Sequence, residues 1–359
     1  DRVDFRPSFS RIFATRVWPQ ECGVALRDFF LHRDSGDDVH RPEAGHGFST
    51  RARRRIRTPV ANQQNDNVVS GVLSGILKDE NGIAYIESSG GIRHFESYPI
   101  WSGYLSHFKG KEVNARLLPQ CDYETGKHIL IIWPKETHSP TPFFELYYNE
   151  RLVKYPASTF GHIALNINGA VYNFSHLINE NEAMRPEEYL YRPALGEFAP
   201  HPVTGRFDVS DPEKPYYDKF GRNFMRTIHV AHVEGADIEQ LRAHCDAELR
   251  RIYDAPKNPK RPEKYSEFNF FTRSCTTIIR DALRKIGFTH VKGIIPRDMF
   301  VSAVAELFRA RQRGIVQCRF YLKPQLLVPE APPSKRSWVM NPRNLIFLAA
   351  HRELFKAIP

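Results

Sequence analysis

Cys275 is the residue whose type and placement speak most directly of chemistry. It closes the aromatic approach FNFFTRSC and opens TTIIRDALRKIG, in which Ile278, Ile279, Ala282, Leu283 and Ile286 recur at helical spacing before Gly287 supplies a stop. A cysteine in the first turn of a helix meets the partial positive charge of the helix terminus. The unpaired backbone N–H groups there favour thiolate over thiol and can receive an oxyanion. Arg273, next but one before it, adds to that field. The plainer alternative is a packed thiol at a helix start.

A thiol nucleophile needs a base, and the stretch FGHIALNINGAVYNFS offers one. His162 heads an alternating strand, Asn168-Gly169 forms a two-residue hairpin turn, and Asn173 lies on the returning strand. In such a hairpin His162 and Asn173 fall side by side. Asn173 can then hold the imidazole in the tautomer whose free nitrogen faces the thiol. His176, three residues on, is the competing orienter. Nucleophile, base and orienter together predict acyl transfer: thiolate attack on an amide or ester carbonyl, protonation of the leaving group by His162, then hydrolysis of the acyl-enzyme.

These same segments resemble a known family. GHIALNINGAVYNFS is similar to the histidine hairpin of NlpC-like papain-fold hydrolases, where a GH(V/I)xhhhxNGxhhH pattern supplies the base and a polar third residue. SCTTIIRDAL resembles their nucleophile helix, in which cysteine is followed by small hydroxyl residues and apolar ones. Most members place cysteine first, whereas here histidine precedes it. That order resembles the circularly permuted branch, which includes lecithin:retinol acyltransferase-like enzymes and several bacterial toxins. The resemblance spans roughly residues 143 to 290, and departs from the common pattern in Asn173, where histidine is frequent, and in a long insertion at 177 to 222.

The resemblance implies Cys275 as nucleophile, His162 as base and Asn173 as third residue, without cofactor or metal. It implies a bacterial cysteine peptidase or amidase acting on the peptide amides of peptidoglycan. A basic chain lacking a Sec signal fits an antibacterial effector, made in the cytoplasm and exported by a specialised secretion system, with an immunity protein as partner. The permuted order equally allows a phospholipid ester as substrate of an acyl hydrolase or acyltransferase. A reading of another class is an adaptor binding nucleic acid or protein through a small barrel at 66–134, with nucleic acid the less favoured partner.

Other chemistries find less support. His229 and His232, three apart in a strand, point to opposite faces, and no nearby cysteine or carboxylate completes a ligand set. Neither GxxxxGK[ST] nor GxGxxG occurs, so the usual phosphate cradle is missing. The five cysteines, Cys22, Cys121, Cys245, Cys275 and Cys318, are odd in number and form no CxxC pair, which suits a reducing compartment better than a disulfide framework.

The elements that must position the pair follow from texture along the chain, and the expected class is α+β. Residues 1–65 mix charge, Gly, His and Pro without period and read as a poorly ordered basic segment, with Arg51, Arg53, Arg54, Arg55 and Arg57 supplying a sizeable share of the net charge of +10. Residues 66–134 carry short β-type runs around Asn81-Gly82 and Thr125-Gly126, predicting a small OB-like or SH3-like barrel. Tyr85, His94, Phe95 and Trp101 could form a stacking face there, or its core.

After the proline-rich PKETHSPTP, residues 140–322 read as the permuted papain-like domain, an antiparallel sheet packed on helices. Asp237 caps a helix with stripe Ile238, Leu241, Cys245, Leu249 and Ile252, and a further helix runs from about Asp298 to Arg313. Residues 323–359 form a tail with a short helix docked on the surface. No run of about 18 apolar residues predicts a membrane span, and the first 30 residues lack the apolar centre of a secretory signal.

Overall fold

The computed structural model describes residues 71–96, 102–121, 128–135, 141–152, 159–192, 223–261, 264–327 and 332–355. The chain divides into units 1–60 and 61–359, and all described residues lie in the second. Trp101, the Thr125-Gly126 step and the arginine cluster fall outside them. The architecture is α+β with two antiparallel sheets.

The first sheet holds β1 (Leu73–Glu80), β2 (Ile83–Glu87), β3 (Arg93–His94), β4 (Glu112–Cys121) and β5 (His128–Pro134), with helix α1 (Ser102–Phe108) between β3 and β4. Asn81 and Gly82, both at positive φ (54° and 78°), make the predicted tight turn. The spatial order is β3-β2-β1-β4-β5, and the sheet stays open among the described residues. The expected closed barrel is therefore corrected. β3 is only two residues long and pairs with β2 alone, and α1 lays the fully buried Tyr104 and Phe108 into the apolar core instead. A sheet covered by helical side chains buries its apolar face without curling on itself. Tyr85 and Phe95 are themselves buried, at 5% and 8% exposure, so they belong to packing rather than to a solvent-facing stacking surface.

The second sheet is built from β6 (Phe143–Asn149), β7 (His162–Ile167), β8 (Ala170–Asn173), β9 (Glu182–Met184), β10 (Ile228–Glu234) and β11 (Gln317–Lys323). Their order is β11-β10-β6-β7-β8-β9, all antiparallel. Helix α2 (Pro186–Tyr191) follows β9, so the predicted polar excursion is ordered at its start: residues 182–184 give the sheet its last strand. Residues 193–222 lie outside the described set.

One face of this sheet, through Phe144, Leu146, Tyr148, Ile163, Leu165 and Ala231, forms the main core with α3 (Ile238–Asp254), α4 (Cys275–Lys285) and α5 (Pro296–Gln312). The opposite face, through Tyr147, Ala164, Val171 and Val230, packs on Tyr189 and Leu190 of α2. Alternation along each strand produces this two-sided burial. The helix ends follow local chemistry: the Asp237 carboxylate accepts from Gln240 N at 2.9 Å, and Pro296 stands in the first turn of α5, where its missing N–H costs nothing.

Two polar connections tie the parts together. Arg116 of β4, buried, pairs with Glu187 and Glu188 of α2, and Glu188 also takes the buried Arg192 at 2.6 Å. The Tyr104 hydroxyl bonds the Ile132 carbonyl at 2.5 Å and the Tyr191 carbonyl at 2.9 Å, joining the first sheet to α2.

Toward the C-terminus, α6 (Pro342–Ala350) packs on α5 through Phe308 and Phe347, and Asn344 Nδ2 donates to Asp298 Oδ1 at 2.6 Å. The extended residues 332–337 run past the end of β6 as a strap. There Glu150 accepts from Ser334 Oγ (3.0 Å) and Arg336 Nε (3.2 Å), and the Tyr148 hydroxyl accepts from Ser337 N (3.0 Å). Among the described residues no helix is long and apolar enough to cross a membrane.

Candidate active site

His162 is the first residue of β7, and the turn that returns the chain is built by Asn168 and Gly169, both at positive φ (48° and 84°). The register pairs Ala164 with Asn173, so His162 and Asn173 are diagonal neighbours on one face of the hairpin. They meet as the sequence predicts: His162 Nε2 lies 2.6 Å from Asn173 Oδ1. Asn173 is 5% exposed, and its Nδ2 donates to the Glu180 carbonyl at 2.6 Å. An amide oxygen only accepts, so Nε2 carries a proton and Nδ1 is the nitrogen left for the thiol.

Gly161 seats the histidine. Its φ is +75°, and a Cβ there would lie 2.5 Å from the Asn149 carbonyl oxygen and 2.8 Å from the Tyr148 ring. Only glycine combines that backbone conformation with so close an approach.

Cys275 is the first residue of α4, as expected. Ser274 caps the helix: its hydroxyl accepts from Thr277 N, and Thr277 Oγ1 accepts from Ser274 N at 2.8 Å, a reciprocal capping box. The remaining first-turn amides, those of Cys275 and Thr276, have no carbonyl partner within the helix. Cys275 is partly exposed, whereas Cys245 and Cys318 are buried, the first with its thiol pushed up to about 12 by burial.

The titrations of thiol and imidazole depend on one another. Burial alone pushes the Cys275 thiol up, but the adjacent His162 charge and hydrogen bond outweigh it, helped by the Thr276 hydroxyl and the Ile163 backbone, and the thiol titrates below its ordinary range. For His162 burial pulls the pKa down, while the Cys275 charge, its hydrogen bond and that to Asn173 raise it, so the ring titrates above its ordinary value against a small opposing field from Arg226. The two shifts run in the directions that favour a thiolate–imidazolium pair.

Other expected contributors stand elsewhere. His176 packs its ring edge-on against Phe268 at 5.8 Å and lies 3.5 Å from Ser175 Oγ, so Asn173 takes the orienting bond. Arg273 is bound to Glu248 at 2.5 Å and to the Tyr265 hydroxyl, which directs its charge to the loop before α4 rather than to the sulfur. His229 bonds Glu150 at 2.9 Å, and His232 bonds Glu145 at 3.2 Å from the opposite face of β10. Among the described residues no group of three or more His, Cys, Asp or Glu could hold a metal ion.

Sequence reasoning did not single out Glu180, Asn181 or Thr277. The spacing Ser274-x-x-Thr277 carries a capping signal, while the Asn and Glu of LINEN look like ordinary turn residues. The aromatic approach does reach the site: Phe160, two residues before His162, packs on Phe270 at 5.5 Å, and Phe270 on Phe271 at 5.4 Å. Comparisons with protein-family models, curated proteins and solved structures return no significant match to this chain.

Proposed function

We propose that the protein is a thiol hydrolase of the permuted NlpC-like, papain-fold kind, cleaving peptide amides of the bacterial cell wall. The observation that carries this reading is the Cys275 thiol at a helix N-terminus, its titration lowered by a His162 ring whose Nε2 is held by Asn173. In the reaction Cys275 Sγ bonds to the carbonyl carbon while the first-turn amides of α4 stabilise the oxyanion. The C–N bond breaks as His162 passes its proton to the amine. Water, deprotonated by the neutral imidazole, then attacks the thioester, giving the acid and restoring the thiol.

The test is direct. Synthetic muropeptides are incubated with wild type and Cys275→Ala, and products are read by mass spectrometry. Cleavage that disappears in the variant is expected, and cell-wall peptides left intact by both proteins would remove the assignment.

A second substrate class has one observation in its favour. The Phe160, Phe270 and Phe271 rings flank the approach to both catalytic side chains, and Phe271 is 47% exposed. Apolar rings at that place suit an acyl chain, and a phospholipid ester would react by the same steps. Mass spectrometry of phospholipids exposed to wild type and Cys275→Ala separates the two substrates.

A further inference from the structure

The orientation of the Asn173 amide decides which nitrogen of His162 bears a proton. With Oδ1 toward the ring, Nε2 is protonated and Nδ1 can take the thiol proton. With the amide turned over, Nδ2 would face Nε2, the proton would shift to Nδ1, and the ring could not act as base toward Cys275. What prevents the turn is a backbone carbonyl: Glu180 O, 2.6 Å from Asn173 Nδ2, accepts and cannot donate.

That carbonyl ends a single 3-10 turn, Ile178–Glu180, whose N-cap Leu177 makes no side-chain capping bond and whose C-cap is Asn181. Asn181 holds it in shape. This side chain is fully buried, and both its oxygen and its amino group bond the backbone at and before the turn. Its Oδ1 accepts from Ser175 N at 2.8 Å, and its Nδ2 donates to Leu177 O at 2.5 Å and to Ile178 O at 3.3 Å. Its carbonyl accepts from the Tyr253 hydroxyl of α3 at 2.5 Å, and burial raises that phenol's pKa, keeping it a donor. The Asn181 amide therefore ties residues 175, 177 and 178, which lie between Asn173 and Glu180, to one side chain.

We propose that Asn181 is a positioning residue for the reaction: through the Ile178–Glu180 turn it fixes the Glu180 carbonyl, hence the Asn173 amide, hence the His162 tautomer that serves Cys275. The proposal rests on the reading of Cys275 and His162 as nucleophile and base. It requires an amide at position 181, since a carboxylate would set lone pairs against the Leu177 and Ile178 carbonyls.

Asn181→Asp and Asn181→Ala test it in the full chain. In a Cys275→Ala background, where the ring is neutral above its pKa, long-range 1H–15N spectra should report the Nε2–H tautomer of His162. Adding either Asn181 substitution should move population to Nδ1–H. With Cys275 present, the pH midpoint of iodoacetamide alkylation should rise by about one unit, which is about tenfold less thiolate at pH values below the wild-type midpoint. Folded Asn181 variants that lose thermal stability but keep the wild-type tautomer and midpoint would overturn the proposal.

Should both substitutions prevent folding, Tyr253→Phe removes a single bond to the Asn181 carbonyl, and the same two measurements apply. A shift of the same sign and smaller size is expected, and wild-type tautomer and midpoint would overturn the proposal. Neither readout needs a substrate. A protein that cleaves no acyl compound yet shows these shifts loses its hydrolase assignment while the positioning role stands.

Discussion

At the scale of single residues, the pairing of Cys275 and His162 has a consequence for pH. The thiol is held below its ordinary range and the imidazole above its own. Both shifts favour a thiolate–imidazolium pair, which is lost to acid as the thiolate protonates and to alkali as the imidazolium deprotonates. Alkylation of Cys275 should remain fast at pH values well below about 8.5, the midpoint of a free cysteine. In His162→Ala that low-pH reactivity should vanish, a comparison that iodoacetamide kinetics across pH 4–10 would settle. A wild-type rate that follows free cysteine would rule the pair out. Both residues are legible in the sequence because each stands at a boundary with its own local signal, a helix start and a hairpin. Asn181 is not, because its importance comes from carbonyls it meets only after the chain has folded round it.

At the scale of elements, the site depends on two chain ends meeting: the first residue of β7 and the first of α4. Ser274→Ala removes the cap from α4, and thermal or denaturant unfolding should show a loss of about 1 kcal/mol. The same variant should raise the Cys275 alkylation midpoint, because a frayed first turn no longer directs its amides at the sulfur. Gly161→Ala forces a Cβ against the Asn149 carbonyl and the Tyr148 ring, so the hairpin must shift and carry His162 with it. The helix over 238–254, the Asn168-Gly169 hairpin and the start of α4 are legible because caps and turns are local chemistry. The first sheet is harder to read. Its strands and one of its turns follow from alternation, but whether the sheet closes depends on α1, whose Tyr104 and Phe108 fill the space a barrel would have enclosed.

At the scale of the whole molecule, a buried carboxylate holds the face of the second sheet turned toward α2. Glu145 accepts from the Tyr147 and Tyr321 hydroxyls at 2.5 Å each and from Asn166 at 2.9 Å, with His232 at 3.2 Å. Burial alone would raise its pKa, yet His232 and these donors lower it to about 2. Its stabilisation is present above the ordinary carboxylate range and is lost as pH falls toward that value. Glu145→Gln should cost up to about 3 kcal/mol near neutrality and flatten the acid-side loss, as urea unfolding at pH 3–7 would measure. An unchanged acid dependence would place the transition in other carboxylates.

Nothing local announces this network, since its members come from β6, β7, β10 and β11 and meet only through sheet order. The strap at 332–337 is equally long-range. Tyr148, whose ring backs Gly161, meets Ser337 across 189 positions of sequence. A contact so distant in sequence cannot form until the chain has been made as far as residue 337. During synthesis, then, His162 and Cys275 leave the ribosome before the segment that buttresses the histidine's seat. On the proposed function, competence would wait for the close of assembly, delaying a reactive thiol inside the cell that makes it.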